Sequence, residues 1–434
     1  RSVMTAAPHY LLLTVGTTGD LHPFLRLGQA LQAIGREATV LTHAYHRDRV
    51  RQAGLPFVGI GTDEDYLRVL RHPDLWDPKK GFAALLADYR RGLEQALQAL
   101  RSVKGGAPRI ALAHPFAVPG AAIGRETGAL QAIVAAHLAP SSLRTCHDPL
   151  RMGDLAVPRW MPMRWRQALW RFVDRRWIDP VACPPLDAAR RAQGLPGIGA
   201  SFLTHIAEAP DLTVSLFPSW FAPTPPDWPR PFIEGDFPLF EAGDATPSAF
   251  SPELAAFLAA GEAPLVFTAG TGNLQADSVF ACALAARART GQRAIVLTPE
   301  RAQLPATLPP DVLWQRYVPL AALLPRAAAL VHHGGIGTTA EALRAGTPQL
   351  VTPFAWDQFD NADRVVALGA GQALPARRLR PHTLAARLQA LTGSAALRTR
   401  CAEIATRLAT RPTHDLQALC REIEQRLQRP GQRQ

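Results

Sequence analysis

The chain has 434 residues, 47% of them hydrophobic and 19% charged, so it is long enough for two folded domains and too apolar for a disordered protein. Lysine and arginine outnumber acidic residues by 47 to 36, which favours anionic ligands without choosing among nucleotides, acidic lipids and nucleic acid. Five scattered cysteines argue against a disulfide framework or a zinc site, and no apolar stretch approaches the roughly 20 residues of a membrane-spanning helix. We therefore expect a cytoplasmic protein without a bound metal.

Short apolar runs alternate with helical patterns through the first half of the chain. The predicted strands are residues 10–15, 38–42, 57–60, 109–113, 131–135, 212–216 and 231–234. A helix is predicted from Pro23 to about Ile34 and another from about Gly120, while residues 63–101 and 158–178 form helical insertions. This alternation predicts one doubly wound α/β domain over residues 1–236.

Residues 237–263 have the composition of an interdomain connection, and a second alternating series follows. Its predicted strands are residues 265–268, 294–297, 312–316, 329–331 and 349–352. They predict a second doubly wound domain over residues 264–434, with the last helix packing back on the first domain. Two such domains would face each other across a cleft at the carboxyl ends of their strands, where ligands usually bind.

A glycine-rich turn joins the predicted strand 329–331 to a helix expected from Thr338. Gly335 and Gly337 let the backbone approach a ligand, and the helix amino terminus favours an anion beside His333. A diphosphate fits such a turn, although a tight turn with a capped helix gives the same pattern. Glu341, one helical turn further, is placed to accept hydrogen bonds from ribose hydroxyls, unless it lies on a solvated helix face.

Asp357 and Gln358 follow the end of the next predicted strand and are placed to bind sugar hydroxyls, or else to form a turn. Together with the glycine turn they resemble the donor signature of glycosyltransferase family 1, whose members have the two-domain GT-B fold. The resemblance implies that His333 contacts the diphosphate, Glu341 the ribose, and Asp357 with Gln358 the sugar.

Two shorter segments extend the resemblance on the donor side. Tyr317 and Val318 lie where the family has a tryptophan that stacks on the nucleotide base, and an aromatic ring at position 317 keeps that ability. The loop after the strand 265–268 resembles the family loop over the phosphates, with Gly270 and Thr271 as the expected contacts.

The turn after the first predicted strand, VGTTGDLHP, resembles the bacterial family motif in which Gly-Asp replaces Gly-His. The resemblance places Asp20 at the position of the general base, with Thr18 beside the donor. A carboxylate there removes the proton of an acceptor hydroxyl. A simple helix cap is the alternative. His22 is a rival base. His114, at the end of the strand 109–113, is a candidate for orienting the base, with a satisfied structural histidine as the favoured alternative.

Residues 72–82, 216–231 and 356–371 also resemble the rhamnosyltransferase family of rhamnolipid biosynthesis, and the likeness runs over nearly the whole sequence. It implies transfer of rhamnose to a hydroxy fatty acid. A ribose-binding Glu341 suits a uridine donor as well as a deoxythymidine donor. The donor therefore stays open between dTDP-rhamnose and UDP-glucose.

The acceptor side offers weaker signals. The insertion at residues 158–178 interleaves arginines with Trp160, Trp165, Trp170 and Trp177. We expect its tryptophans to pack inward, with peripheral contact to an anionic inner membrane face as the alternative. Trp165 is expected to line the acceptor pocket. His137 and Trp220, each just past a strand end, are further candidates, with plain packing as the alternative for both.

These features together predict an inverting, metal-independent glycosyltransferase that moves a hexose from a dTDP- or UDP-sugar to a hydroxyl of a hydrophobic, hydroxy-fatty-acid-like acceptor. The nucleotide sugar is a co-substrate, and no cofactor or nucleic-acid partner is expected. The alternatives are a UDP-glucose-dependent enzyme acting on an aromatic, sterol or polyketide-like product, a nucleotide-sugar epimerase or hydrolase, and, more remotely, a non-catalytic nucleotide-binding protein.

Overall fold

Two parallel sheets form the cores of two α/β domains in the computed structural model, which describes residues 7–148, 151–239, 250–410 and 416–428. The first sheet has seven strands in the order β3-β2-β1-β4-β5-β8-β9 and the second has six in the order β12-β11-β10-β13-β14-β15. A separate antiparallel pair joins β6 and β7. The strands are β1 His9–Leu13, β2 Glu37–His43, β3 Phe57–Ile60, β4 Arg109–Ala113, β5 Ala132–His137, β6 Arg151–Met152, β7 Leu155–Ala156, β8 Leu212–Ser215, β9 Phe232–Ile233, β10 Leu265–Thr268, β11 Ala294–Leu297, β12 Val312–Gln315, β13 Ala329–His332, β14 Gln349–Val351 and β15 Gly371–Ala373.

Helices cover both faces of each sheet, as the first strand shows. Leu11 and Leu13 of β1 belong to one apolar cluster, while Tyr10 and Leu12 belong to another on the opposite face. All four side chains are almost completely buried, which explains why the strand is an unbroken apolar run. Each sheet is therefore an inner layer between two helical layers.

The helices lie mostly in the connections between successive strands. In chain order they are α1 Thr18–Ala33, α2 Arg47–Gln52, α3 Asp63–Leu70, α4 Gly81–Leu85, α5 Tyr89–Ser102, α6 Val118–Glu126, α7 Met163–Val173, α8 Asp179–Arg191, α9 Phe202–Glu208, α10 Pro252–Ala259, α11 Asp277–Thr290, α12 Leu320–Leu323, α13 Ile336–Ala345, α14 Gln358–Ala367, α15 Pro381–Gly393, α16 Ala395–Ala409 and α17 Leu416–Gln428. A π-helical turn, Asp174–Ile178, links α7 to α8. Within the described ranges, no helix combines the length and apolar character needed to cross a bilayer.

Several boundaries differ from the sequence-based expectation. Helix α1 begins at Thr18 instead of Pro23, so Asp20 lies in its first turn, and α13 begins at Ile336 instead of Thr338. The edge strand β15 is absent from the predicted strands, because Gly371–Ala373 is too short and too polar to give an apolar run. Residues 240–249 of the predicted connection lie outside the described residues.

The last described helix packs on the first domain. Leu419, Cys420 and Ile423 of α17 join the apolar cluster beneath α1. Arg36 donates two hydrogen bonds to the Glu424 carboxylate, at 2.9 and 3.0 Å. This bidentate pair fixes α17 against the end of α1.

Candidate active site

A cavity of about 2120 Å³ lies between the two domains at the carboxyl ends of their strands. The predicted donor-side and catalytic residues all line it, as does one predicted acceptor-side residue, His137. They are Thr18, Asp20, His22, His114, His137, Gly270, Thr271, Tyr317, Val318, His333, Gly335, Gly337, Thr338, Glu341, Asp357 and Gln358. The topology explains this grouping, since most of these residues lie at or just after a strand end or in the first turns of the helix that follows.

Asp20 has two groups of contacts, one on each carboxylate oxygen. Its Oδ2 accepts hydrogen bonds from the Thr17 backbone N–H at 2.7 Å and the Thr17 hydroxyl at 3.1 Å, which caps α1. Its Oδ1 lies 3.7 Å from His114 Nε2. The cap fixes the carboxylate and directs Oδ1 toward the cavity and His114. Asp20 therefore caps α1 through one oxygen and leaves the other uncommitted, so the cap does not exclude the predicted role as a base, which stays a prediction.

The hydrogen bonds of His114 define its tautomer. Nδ1 accepts the backbone N–H of Phe116 at 3.3 Å, so the ring proton is on Nε2 and points toward Asp20. Burial lowers the pKa of His114, while the nearby Asp20 charge acts in the opposite direction. In this tautomer the neutral imidazole turns its N–H toward Asp20 Oδ1, although the 3.7 Å separation is longer than a hydrogen bond.

His22 lies elsewhere on the cavity wall. Burial, with smaller contributions from Arg49 and His46, lowers its pKa to about 4, so it is neutral at pH 7. Arg49 is exposed and lines the cavity opposite the second domain. Arg49 is a cationic residue that the sequence reasoning missed, because α2 carries no motif and its place in the cleft depends on the fold.

His137 carries a buried acceptor atom. The Ser142 hydroxyl donates to the Ala139 carbonyl at 2.6 Å and so accepts the Nδ1 proton of His137 at 2.8 Å. The lone pair of His137 is consequently on Nε2, which is buried and has no hydrogen-bond partner among the described residues. Burial, and to a smaller degree His114, lower its pKa to about 3. A buried unpaired acceptor costs free energy unless a ligand donates to it.

Two histidines at the end of β13 have different tasks. His332 is fully buried, is hydrogen-bonded to Gln349 at 2.9 Å and accepts the Gly334 N–H, so it supports the loop. His333 faces the cavity between two glycines. A Cβ added to Gly270 would lie 2.7 Å from the His333 ring, and one added to Gly335 would lie 2.6 Å from it. Only glycine at both positions leaves space for this ring.

The His333 ring is free to bind a ligand at the start of α13. Its Nδ1 is buried without a partner in the described part of the chain, and burial lowers its pKa to about 4. The first turn of α13, with Gly337 and Thr338, presents unpaired backbone N–H groups to the same space. This arrangement offers an anion hydrogen bonds and the helix dipole without a formal positive charge.

Glu341 and Tyr317 line the cavity on the side of the second domain. Glu341 is mostly buried and forms an ion pair with Arg344 on the same helix. Tyr317 is 63% exposed and lines the cavity, while the adjacent Val318 is buried. An exposed ring above a buried anchor is available for stacking on a nucleotide base.

Asp357 and Gln358 are held by the turn that starts α14. Gln358 Oε1 accepts the backbone N–H groups of Phe354 and Ala355 at 2.9 and 3.2 Å, so its role in the structure is to brace this turn. Asp357 accepts a hydrogen bond from Asn361 Nδ2 at 2.8 Å. Burial, followed by the charge of Asp20 across the cleft, raises the pKa of Asp357 to about 7. Asp20 and Asp357 thus line the same cavity from opposite domains, close enough for the charge of one to affect the other.

Two family models match this chain, one in each domain. Residues 10–122 match the glycosyltransferase family 28 N-terminal domain, and residues 283–423 match the C-terminal domain family described as erythromycin biosynthesis protein CIII-like. The O-mycaminosyltylonolide 6-deoxyallosyltransferase of Streptomyces fradiae is 28% identical over 410 residues, covering 92% of this chain and 93% of that protein.

Solved structures cover both domains together. The glycotransferase of kitacinnamycin covers 97% of this chain and 100% of its own chain, with a TM-score of 0.70 and 21% identity. The spinosyn rhamnosyltransferase SpnG, complexed with thymidine diphosphate, covers 96% and 100% with a TM-score of 0.65 and 21% identity. The chain has the GT-B glycosyltransferase fold. This confirms the predicted fold class, whereas membership of family 1 and the likeness to the rhamnosyltransferases of rhamnolipid biosynthesis stay predictions.

On the first-domain side of the GT-B cleft the cavity continues into an apolar chamber. Its walls come from α4, α5, α7, the π-helical turn, α8 and α9. The apolar lining includes Phe82, Leu85, Leu86, Tyr89, Leu93, Leu169, Val173, Ile178, Val181, Leu203 and Ile206. The chamber belongs to the same cavity as Asp20 and His137, so an apolar molecule in it has access to both residues.

Two predicted acceptor residues lie away from this GT-B cavity. Leu169, Trp170 and Val173 supply the inner face of α7, and Trp165 is left 61% exposed outside the cavity lining. Trp220 packs with aromatic residues between the domains, and the Arg407 guanidinium lies 5.1 Å from its ring centroid. Contrary to the expectation, neither tryptophan borders the described cavity, because one points outward and the other belongs to the domain interface.

Proposed function

We propose that this chain is an inverting glycosyltransferase that moves a hexose from a dTDP- or UDP-activated sugar to a hydroxyl of an apolar acceptor. The observation that carries the proposal is the single cavity shared by Asp20 of the first domain and the His333 loop of the second. A base and an anion-binding helix terminus face each other there, as displacement of a diphosphate requires. The first domain binds the acceptor and the second binds the nucleotide sugar.

The reaction follows from these positions. Asp20 Oδ1 takes the proton of the acceptor hydroxyl while its oxygen attacks the anomeric carbon. The bond between that carbon and the diphosphate oxygen breaks, and the electron pair leaves with the diphosphate. His333 and the N–H groups of the first turn of α13 stabilise the charge that develops on the leaving oxygen. Thr17 holds the carboxylate in place with His114 beside it, and His137 Nε2 accepts a hydrogen bond from a second hydroxyl where the acceptor has one.

The apolar chamber supports a hydroxy fatty acid as acceptor, because its lining offers aliphatic and aromatic surface continuous with the base. A natural-product aglycone is the second candidate. The Streptomyces fradiae relative, named for 6-deoxyallosyl transfer to O-mycaminosyltylonolide, favours that class. Glu341 and Tyr317 are compatible with thymidine and uridine donors alike.

Thermal stabilisation tests the donor site before any acceptor is known. We expect saturating dTDP-rhamnose or UDP-glucose to raise the melting temperature, since a ligand at 100 times its Kd adds about 2.7 kcal/mol to the free energy of unfolding. Glu341→Ala removes the carboxylate beside the ribose and should reduce that gain. Glu262→Ala, at an exposed position outside the cavity, is the matched control.

The responding donor is then incubated with 3-hydroxydecanoic acid or a macrolactone, and glycosylated product is measured by mass spectrometry. Product from either acceptor supports transfer and identifies its class. Free sugar without glycoside would instead show a hydrolase, and the absence of stabilisation by both donors would refute the donor site.

A further inference from the structure

The insertion after β7 presents an exposed aromatic surface. Trp160, Trp165, Phe172 and Trp177, which together form the aromatic patch, are exposed by 81%, 61%, 55% and 55%. With Leu155, they make up five of the eight large hydrophobic side chains that are exposed among the described residues. We expected these tryptophans to pack inward, but only Trp170 does so, at 4% exposure. Such clustering of exposed apolar side chains marks an interaction surface.

The aromatic patch is continuous along α7 and its flanks. Trp165 and Phe172 are seven residues apart, which places them on one face of the helix. Phe172 contacts Trp177 edge to face, with ring centroids 5.4 Å apart. Arg166 of α7 donates hydrogen bonds to the carbonyls of Arg159 and Met161 and so holds the segment carrying Trp160 against the helix.

Among residues 159–177 the unpaired charges are all positive, while Arg159 is paired with Asp148 at 2.8 Å. Residues 159–177 contain six arginines and one acid, Asp174. Asp174 is buried and bound by Arg144 at 2.6 Å, so it offers no negative charge to the surface. Within the described residues, no ion pair is formed by the arginines at positions 164, 171, 175 and 176. The patch is therefore rimmed by unpaired cations.

The other face of the same helix is a wall of the acceptor chamber. Leu169 and Val173 line the cavity from α7, and Arg176 and Trp177 line it from the π-helical turn. Trp177 thus belongs to both the aromatic patch and the chamber lining. The chamber reaches the surface beside the exposed aromatic side chains.

We propose that the aromatic patch docks the protein on an anionic lipid bilayer and that an apolar acceptor enters the chamber from that bilayer. Tryptophan and phenylalanine insert at the interface while the arginines bind anionic headgroups, which is the composition of interfacial helices. A rim of one charge sign matches a uniformly anionic surface better than a protein with mixed charges. Docking is independent of the transfer reaction, and only the entry route rests on the proposed function.

Vesicle flotation of the full chain tests the docking. The vesicles are phosphatidylcholine alone or an equimolar mixture with phosphatidylglycerol. We expect binding to the mixed vesicles that weakens at raised salt, because charge attraction to the surface is screened. The double variant Arg164→Gln with Arg171→Gln should weaken binding to the mixed vesicles by ~30-fold, because each arginine near an anionic surface contributes ~1 kcal/mol.

Trp165→Ser with Phe172→Ser removes two aromatic anchors that lie outside the cavity lining and should weaken vesicle binding at least ~10-fold. Val366→Ser, at an exposed apolar position of the second domain, is the control for the aromatic variant. Arg378→Gln with Arg387→Gln, at exposed positions of the same domain, is the charge control. Both controls should bind as the wild type does.

Three results would overturn the docking proposal: no vesicle binding by the wild type, equal binding by patch and control variants, or a dimer in light scattering that only the patch variants lose. The last result would assign the surface to a second copy of the chain. Donor-dependent stabilisation is measured in the same variants. If the donor does not stabilise even the wild type, the transfer proposal fails and the docking result is unaffected.

Discussion

Asp20 is predicted to perform two tasks that substitutions can separate. Asp20→Asn retains a side-chain oxygen that can accept the Thr17 N–H hydrogen bond, now 2.7 Å long, but it cannot take a proton. Asp20→Ala removes both the cap and the base. The two variants should therefore be equally poor catalysts but differ in stability.

The magnitudes follow from the two roles. Loss of general base catalysis should lower kcat by about 10²–10⁴-fold in both variants. Loss of the cap should cost about 1 kcal/mol in Asp20→Ala, because the Thr17 N–H at the start of α1 loses its acceptor. In domains of this size, that cost lowers the melting temperature by about 2–4 °C. Asp20→Asn should melt within about one degree of the wild type.

The assay is a measurement of kcat and KM with the donor and acceptor that the wild type accepts, together with thermal unfolding of each variant. Donor-induced stabilisation should persist in Asp20→Asn, because the diphosphate site lies in the other domain. A kcat for Asp20→Asn within tenfold of the wild type would refute Asp20 as the base and leave it as a helix cap. His22 would then be the next base to substitute.

Three further outcomes are expected. Gly335→Ala should displace the His333 ring and weaken the affinity for dTDP, read from thermal stabilisation, at least tenfold. Gly337→Ala, where a new Cβ meets nothing within 4 Å, should instead raise the melting temperature of the free protein through helix propensity. Equal ligand-free melting temperatures for the two variants would contradict this packing argument. Folding raises the pKa of Asp357 to about 7, so the stability that its protonated carboxyl contributes is full below the pKa of this group in the unfolded chain and is lost as the pH rises through 7. Asp357→Asn should flatten that decline, measured by denaturant titrations at pH 5 and pH 8. An unchanged pH slope would show that the carboxyl is not the cause. Glu424→Ala should lower stability by about 1–3 kcal/mol by breaking a bidentate pair, measured by urea unfolding, and a loss below 0.5 kcal/mol would mean that α17 is held by apolar contacts alone.

The fold was predictable because parallel strands are buried on both faces. Tyr10 to Leu13 and similar runs are continuous and apolar, and each is followed by a helical pattern, so strands and their order of appearance can be read from the sequence. Helix starts are less predictable. The apolar pattern places Pro23 in the first turn of α1, yet the Thr17 cap begins the helix earlier, and proline is tolerated within it.

The cavity lining was predictable only where a residue followed a strand end or belonged to a motif. Arg49 reaches the cleft from a short helix without a motif. The tautomers of His114 and His137 depend on the backbone N–H of Phe116 and on the Ser142 hydroxyl. Such pairings are set by folded geometry. For α7, amphipathic spacing separates two faces but does not say which one meets the protein.

The return of α17 to the first domain has a consequence for synthesis and for dissection of the chain. The groove that receives Leu419 and Ile423 belongs to a domain whose strands are complete by Ile233, so it stays uncovered while the ribosome makes the whole second domain. A fragment limited to residues 7–239 would retain that apolar groove on its surface and should tend to aggregate, unless a peptide spanning Leu416–Gln428 is supplied in trans.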